Sequence, residues 1–174
     1  MKVLNKTIEK VNIRALVNNY ILEIIGEDIQ HFGITKYKLC NLILIKFSLK
    51  YRSNYFQEMS FESKSYLQFA LHKENITYYN ELKKGVDMNE SEMIREIFSS
   101  YAILPAFLRE IHLFKEKISF LMTAQKEYRV LKLHTKFGVV EGRIEGVLRD
   151  KESDYLKVIV NGSDYFVSQL EVIN

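Results

Sequence analysis

The alternation of apolar and polar residues predicts that the chain opens on a strand. In EKVNIRALV (residues 9–17), Val11, Ile13 and Ala15 fall on one side and Lys10, Asn12 and Arg14 on the other. Two helical stretches follow. Over residues 18–33, Tyr20, Ile21, Ile24, Ile25, Ile29 and Phe32 share one helical face, and Gly33 is placed to end the element. Over residues 35–51, Leu39, Ile43 and Phe47 recur every fourth position with Cys40 and Leu44 beside them, behind Thr35 as helix N-cap. No hairpin turn joins a second strand to the first, so its backbone groups need a partner from elsewhere.

The same order then recurs. Residues 65–73 alternate, with Leu67, Phe69 and Leu71 on one side and Gln68, Ala70 and His72 on the other. A short helix is predicted over 75–85, and a longer one over 89–103 opens with Asn89 and carries Glu92 three residues on, close to a capping box. A shift of about 54 positions carries Thr35, Leu39, Cys40, Ile43, Leu44 and Phe47 onto Asn89, Met93, Ile94, Ile97, Phe98 and Tyr101. Six coincidences in a row predict an internal repeat.

Pro105 breaks the pattern. Residues 106–128 read as one helix, with Phe107, Leu108, Ile111, Phe114, Ile118 and Leu121 apolar. Four alternating stretches follow, over 129–136, 138–150, 154–162 and 164–173, separated by turn signals such as KFG and NGSD. Gly138, Gly142 and Gly146 permit the curvature of a small barrel. The expected fold is α+β: two strand–helix–helix repeats (1–52 and 53–104), then a helix with a small SH3-like β-barrel (105–174).

Composition narrows the function classes. The 174 residues are 47% hydrophobic and hold only 7 Gly and 1 Pro, which suits a globular chain. The net charge of +3 is unevenly spread: residues 1–52 carry nine Lys and Arg against four Asp and Glu, whereas 53–101 carry five against eight. A polyanion would therefore meet the N-terminal end. The single cysteine, Cys40, excludes an intramolecular disulfide and reads as a buried structural thiol. The N-terminus lacks the apolar core of a signal peptide, and residues 39–45 are too short an apolar run to span a bilayer, so a cytoplasmic protein without membrane contact is expected. The four histidines are scattered, and neither metal-ligand spacing nor a phosphate-binding or nucleophile motif occurs. No enzyme activity, metal or cofactor is expected.

A strand followed by two helices, twice, resembles the ribbon-helix-helix family, and KVNIRA (10–15) is similar to its ribbon. The resemblance implies that two copies pair their strands antiparallel over a four-helix core, the alternate polar side chains entering the DNA major groove. On that basis Lys10, Asn12 and Arg14 face outward from the strand over 8–15, matched in the second copy by Gln68, Ala70 and His72; of those three, Gln68 is the best suited to reading a base. Asn pairs with adenine, and Arg or Lys with guanine or phosphate. The family also sets the N-terminus of its second helix against a phosphate, which maps to Thr35 and Lys36; at Asn89 in the second copy, Glu90 and Glu92 oppose this.

The C-terminal helix and barrel resemble the WYL domain, whose barrel senses ligands or nucleic acid. LMTAQKEYRVLKLHT is similar to the helix leading into its first strand, GRIEGVL to its arginine-bearing second strand, and DYL (154–156) takes the place of the name-giving triplet with Asp154 where tryptophan stands. The late arginines of that family are missing. The resemblance implies a small-ligand site at Lys132, Arg143, Tyr155 and Lys157. Three functions follow as expectations. The first is a DNA-binding transcriptional regulator. The second, implied by WYL proteins that accompany type VI CRISPR effectors, is a single-stranded-RNA-binding accessory protein. The third is a non-enzymatic interaction protein. Apolar runs such as LILI and YAIL leave surface to spare for a homodimer.

Overall fold

The computed structural model describes residues 10–48 and 63–173. Residues 8 and 9 of the expected strand and 49–51 of the expected second helix lie outside them. The chain is α+β and divides into two compact units. Of the described residues, one unit runs through Glu27 and resumes over Ile34–Tyr101; the other takes Asp28–Gly33 and continues from Ala102.

The first unit contains β1 (Asn12–Asn18), α1 (Asn19–Phe32) as far as Glu27, α2 (Lys36–Phe47), β2 (Lys64–Ala70), α3 (Ile76–Gly85) and α4 (Glu90–Ala102) as far as Tyr101. Gly33 adopts φ +64° and its N–H donates to the Ile29 carbonyl, which ends α1. The Thr35 hydroxyl accepts from the Lys38 N–H at 3.1 Å and starts α2. Fifty-four positions on, the Asn89 side chain accepts from the Glu92 N–H at 2.9 Å and starts α4. The two helices thus begin with the same capping bond.

The opening strand finds its partner within the chain. β1 and β2 pair antiparallel, with Asn12 opposite Ala70, Arg14 opposite Gln68 and Leu16 opposite Tyr66. Arg14 and Gln68, which are partners, also stand 54 positions apart, so an approximate two-fold passes between them. The inner faces agree: Ile13, Ala15 and Val17 are buried, and so are Leu67, Phe69 and Leu71. Beneath them lie Leu39, Cys40, Ile43, Leu44 and Phe47 with Met93, Ile94, Ile97, Phe98 and Tyr101, all buried. Phe47 meets Tyr101 edge-on at 5.2 Å, a contact between two equivalent positions. Burial raises the Cys40 thiol to about 12, far from nucleophilic use.

A two-stranded ribbon has two free edges, and each is met by a helix. Arg95 on α4 donates from Nε to the Leu16 carbonyl at 3.0 Å. Asn41 on α2 donates from Nδ2 to the Ala70 carbonyl at 3.1 Å. Asn41 and Arg95 are 54 apart, as are Leu16 and Ala70, so each second helix reaches the other segment's strand at the same carbonyl. Asn41 is nearly buried and does more: Nδ2 also donates to the Tyr37 carbonyl, and Oδ1 accepts from the His72 N–H and from Asn75 Nδ2.

In the second unit, α5 (Ala106–Leu113) and α6 (Lys115–Lys126) replace the single helix expected over 106–128. The break is Phe114, at φ −121° and ψ 38°, which stacks edge-on against Phe32 at 5.1 Å. A five-stranded antiparallel sheet follows: β3 (Val130–Thr135), β4 (Gly138–Arg149), β5 (Leu156–Val160), β6 (Ser163–Phe166) and β7 (Glu171–Ile173), in the order β6-β5-β4-β3-β7. The last expected strand is thus two, parted by a 3-10 turn over Val167–Gln169, and β7 returns to pair with β3. The sheet curls because the long β4 pairs with β3 over its first half and β5 over its second, with a register break between Ile144 and Gly146. At Gly142 an added Cβ would lie 2.5 Å from Asn161 Oδ1 and 2.9 Å from Val160 Cγ1, so those side chains would have to shift. The core joins Ile118, Leu121 and Ala124 of α6 to Leu133, Ile144, Val158 and Val160 of the sheet.

Glu110 is fully buried at the edge of this core. Its Oε2 accepts from the Leu156 N–H at 3.1 Å, while Oε1 has no hydrogen-bond partner. Burial pushes its carboxyl up to about 7, against the Leu156 N–H and Lys117, which act to lower it.

Two stability predictions follow from these buried polar groups. Asn41→Ala removes four hydrogen bonds made by one buried amide and is expected to cost about 2–4 kcal/mol in urea unfolding, against about 1 kcal/mol for Arg95→Ala, which loses one bond from a partly exposed side chain. A glutamate titrating near 4.5 unfolded and about 7 folded keeps its full contribution below the lower value and loses it as pH rises through the higher one. The stability of the protein relative to Glu110→Gln should therefore fall by up to about 3 kcal/mol between about pH 4.5 and pH 8. Unfolding midpoints across that range measure it.

Candidate nucleic-acid interface

The outer face of the ribbon is built by strand alternation alone. Asn12 and Arg14 on β1, and Lys64, Tyr66 and Gln68 on β2, are all exposed. Lys10 is exposed just ahead of β1. Neither strand contains an acidic residue. At the centre, the Arg14 guanidinium carbon lies 3.8 Å above the centroid of the Tyr66 ring. Cross-strand geometry allows this: Tyr66 sits diagonally from Arg14, two residues along β2 from its partner Gln68.

The second strand meets the face differently from the expectation. Carrying the helical shift of 54 through the strands matches Lys10, Asn12 and Arg14 with Lys64, Tyr66 and Gln68, and the pairing register follows that match. Gln68 stays on the reading face. Ala70 is partly buried opposite Asn12, and His72 lies beyond the end of β2. There its Nδ1 accepts from the Glu74 N–H, and its ring lies 5.9 Å from that of Tyr37. Sequence reasoning missed Lys64 and Tyr66, although the helical shift pointed to both.

The start of α2 lies at this same end of the ribbon, fixed by the Asn41 bonds to Ala70 and His72. Thr35, Lys36 and Tyr37 are exposed there, and free backbone N–H groups in a first turn favour an anion. The start of α4 is acidic, with Glu90 held 3.6 Å from Lys83.

The four residues expected to hold a ligand on the second unit are not gathered. Lys132 and Arg143 share the outer face of β3 and β4 with Glu141, which stands opposite Lys132 in the strand register. Arg143 also lines a surface groove with Met122, Lys126 and Tyr128. Lys157 is held 2.9 Å from Asp150 and 3.1 Å from Asp164, and hydrogen bonds to these two carboxylates raise its pKa. Tyr155 is buried. Its hydroxyl donates to Asp28 Oδ1 at 2.5 Å, and its ring stacks on His31 at 3.6 Å. Asp28 in turn takes two bonds from Arg109, at 2.7 and 2.8 Å, and burial together with Asp28 raises the Tyr155 pKa. Tyr155 is therefore packed in the core, with one ring face on His31 and its hydroxyl bonded to Asp28. Among the described residues, no group of three or more His, Cys, Asp or Glu side chains could hold a metal ion, and no helix is long and apolar enough to cross a membrane.

No protein-family model matches the chain, and no curated protein sequence does. A solved structure of a CRISPR Cas-related protein is similar in fold. The likeness has a TM-score of 0.65 at 11% identity and covers 98% of this chain. This chain spans 64% of that protein's length.

Because Tyr155 supports a buried carboxylate, Tyr155→Phe is expected to destabilise the protein by about 1.5–3 kcal/mol, the range for a hydrogen bond to a charged group. Thermal unfolding reads this directly. A change below a few tenths of a kcal/mol would mean that the hydroxyl does not support Asp28.

Proposed function

We propose that this chain is a non-enzymatic nucleic-acid-binding protein that modulates a CRISPR effector, with the β1–β2 ribbon as its contact surface. One observation carries the reading: an exposed two-stranded face bearing Arg, Lys, Asn, Gln and Tyr, with no carboxylate on either strand. A polyanion is attracted there, and these side chains suit base edges and phosphates. The likeness in fold to a CRISPR Cas-related protein supports the choice of setting. We read the first unit as a tandem ribbon-helix-helix pseudo-dimer, supported by the two-fold between Arg14 and Gln68 and by the matched caps at Thr35 and Asn89. We read the second as a WYL-like barrel whose open residues, Lys132 and Arg143, lie on the outer sheet face.

A transcriptional regulator is the second reading, favoured by Asn12, Arg14 and Gln68, which are residue types that read base edges in the major groove. Binding of the full chain to single-stranded RNA and to duplex DNA, at several salt concentrations, tests both. The affinity should fall steeply with salt, and the combined Lys10→Ala, Asn12→Ala and Arg14→Ala variant should bind about 30-fold or more weakly, given about 1–3 kcal/mol per specific contact. Sequence-dependent duplex binding that is tighter than RNA binding moves the assignment to the regulator. Absence of binding to any nucleic acid at low salt overturns both.

A further inference from the structure

The centre of the ribbon face has the wrong posture for reading a duplex. A major-groove arginine points its fork away from the strand, so that two N–H groups reach the edge of guanine. Arg14 instead lies across Tyr66, with its guanidinium 3.8 Å from the ring centroid. The result is a cation stacked on an aromatic ring, standing on the exposed side of the sheet, with Tyr66 itself 53% exposed. A flat pair of this kind offers stacking area to a base that has left its own stack, and every base has a π-face to present.

The neighbours fit the same occupant. Asn12 and Gln68 flank the pair with amides able to bond to the edges of an unpaired base, and Lys10 and Lys64 lie at positions matched by the two-fold, suited to phosphates on either side. Opposite Asn12 stands only Ala70, so that end of the face is low. A paired base shows only its edge in a groove, and its π-faces stay covered by the base pairs above and below. A single strand can bring both edge and face.

We propose that Arg14 and Tyr66 form a stacking site for one unpaired base of a single-stranded nucleic acid, with Asn12 and Gln68 addressing its edge. This rests on the ribbon being the nucleic-acid contact, and it names the form of nucleic acid that the contact takes.

Fluorescence anisotropy of the full chain with labelled oligouridine RNA, oligodeoxyuridine DNA and a duplex of the same length tests it. Both single strands, or the RNA alone, should bind more tightly than the duplex. Equal affinities assign single strands of either sugar, and a preference for RNA assigns recognition of the ribose as well. Tyr66→Ala should weaken single-strand binding about tenfold, within the range for loss of one stacked base, while Tyr66→Phe stays within about twofold. Circular dichroism and the urea midpoint of Tyr66→Ala should match the wild type, since half of the ring is already in water. Single-strand binding that is unchanged in a folded Tyr66→Ala protein overturns the stacking site, and so does a preference for the duplex. If the combined ribbon variant still loses binding in those cases, the ribbon remains the contact and only the stacking site fails. A wild type that binds none of the three probes removes the ribbon reading too.

Discussion

Antiparallel pairing of β1 with β2 is the constraint on which the first unit depends. A strand without a neighbour leaves a row of N–H and C=O groups to solvent, and two strands alone are marginal in water. Here the two are held from beneath by side chains of α2 and α4, and at their edges by Asn41 and Arg95. Each helix therefore has two tasks: it supplies apolar surface under the ribbon and it satisfies a carbonyl on it. The outer face is left without a structural duty, which is why exposed polar and aromatic side chains can stand on it.

The two units handle buried charge in contrasting ways. Among the described residues, the first buries no Asp, Glu, Lys or Arg and instead buries an amide, Asn41, with both ends bonded. The second buries Asp28 with Arg109 in a two-pronged pair and adds the Tyr155 hydroxyl, so the carboxylate is well satisfied. Glu110 beside them has only one of its oxygens bonded, and burial raises its pKa. The pair and the half-satisfied carboxyl are both placed by α5, through adjacent residues 109 and 110.

Much of this was legible in the chain, and the parts that were not share a cause. The helical pattern carries a period of 3.6 and a cap at a fixed offset, so Thr35 and Asn89 could be matched at 54 positions without ambiguity. A strand has period two, and shifting it by four leaves every apolar residue on the same side. An offset of 58 therefore looked as good for the strands as 54, and it hid Lys64 and Tyr66. The break at Phe114 was hidden for a related reason, since the apolar spacing continues across it from Ile111 to Ile118. The burial of Tyr155 was not legible for a different reason: its partner Asp28 lies 127 positions away and no local pattern announces it.

The two-fold between Arg14 and Gln68 has a last consequence. A ribbon made by two identical chains must place the same residue at both equivalent positions, and such a surface looks the same from either end. Joining the halves in one chain lifts that requirement, and here Arg faces Gln, Asn12 answers to Tyr66, and a basic α2 start answers to an acidic α4 start. The ribbon consequently has a head and a tail. A nucleic-acid strand has them too, in its 5′ and 3′ ends, and a surface with polarity of its own can favour one direction of threading over the other.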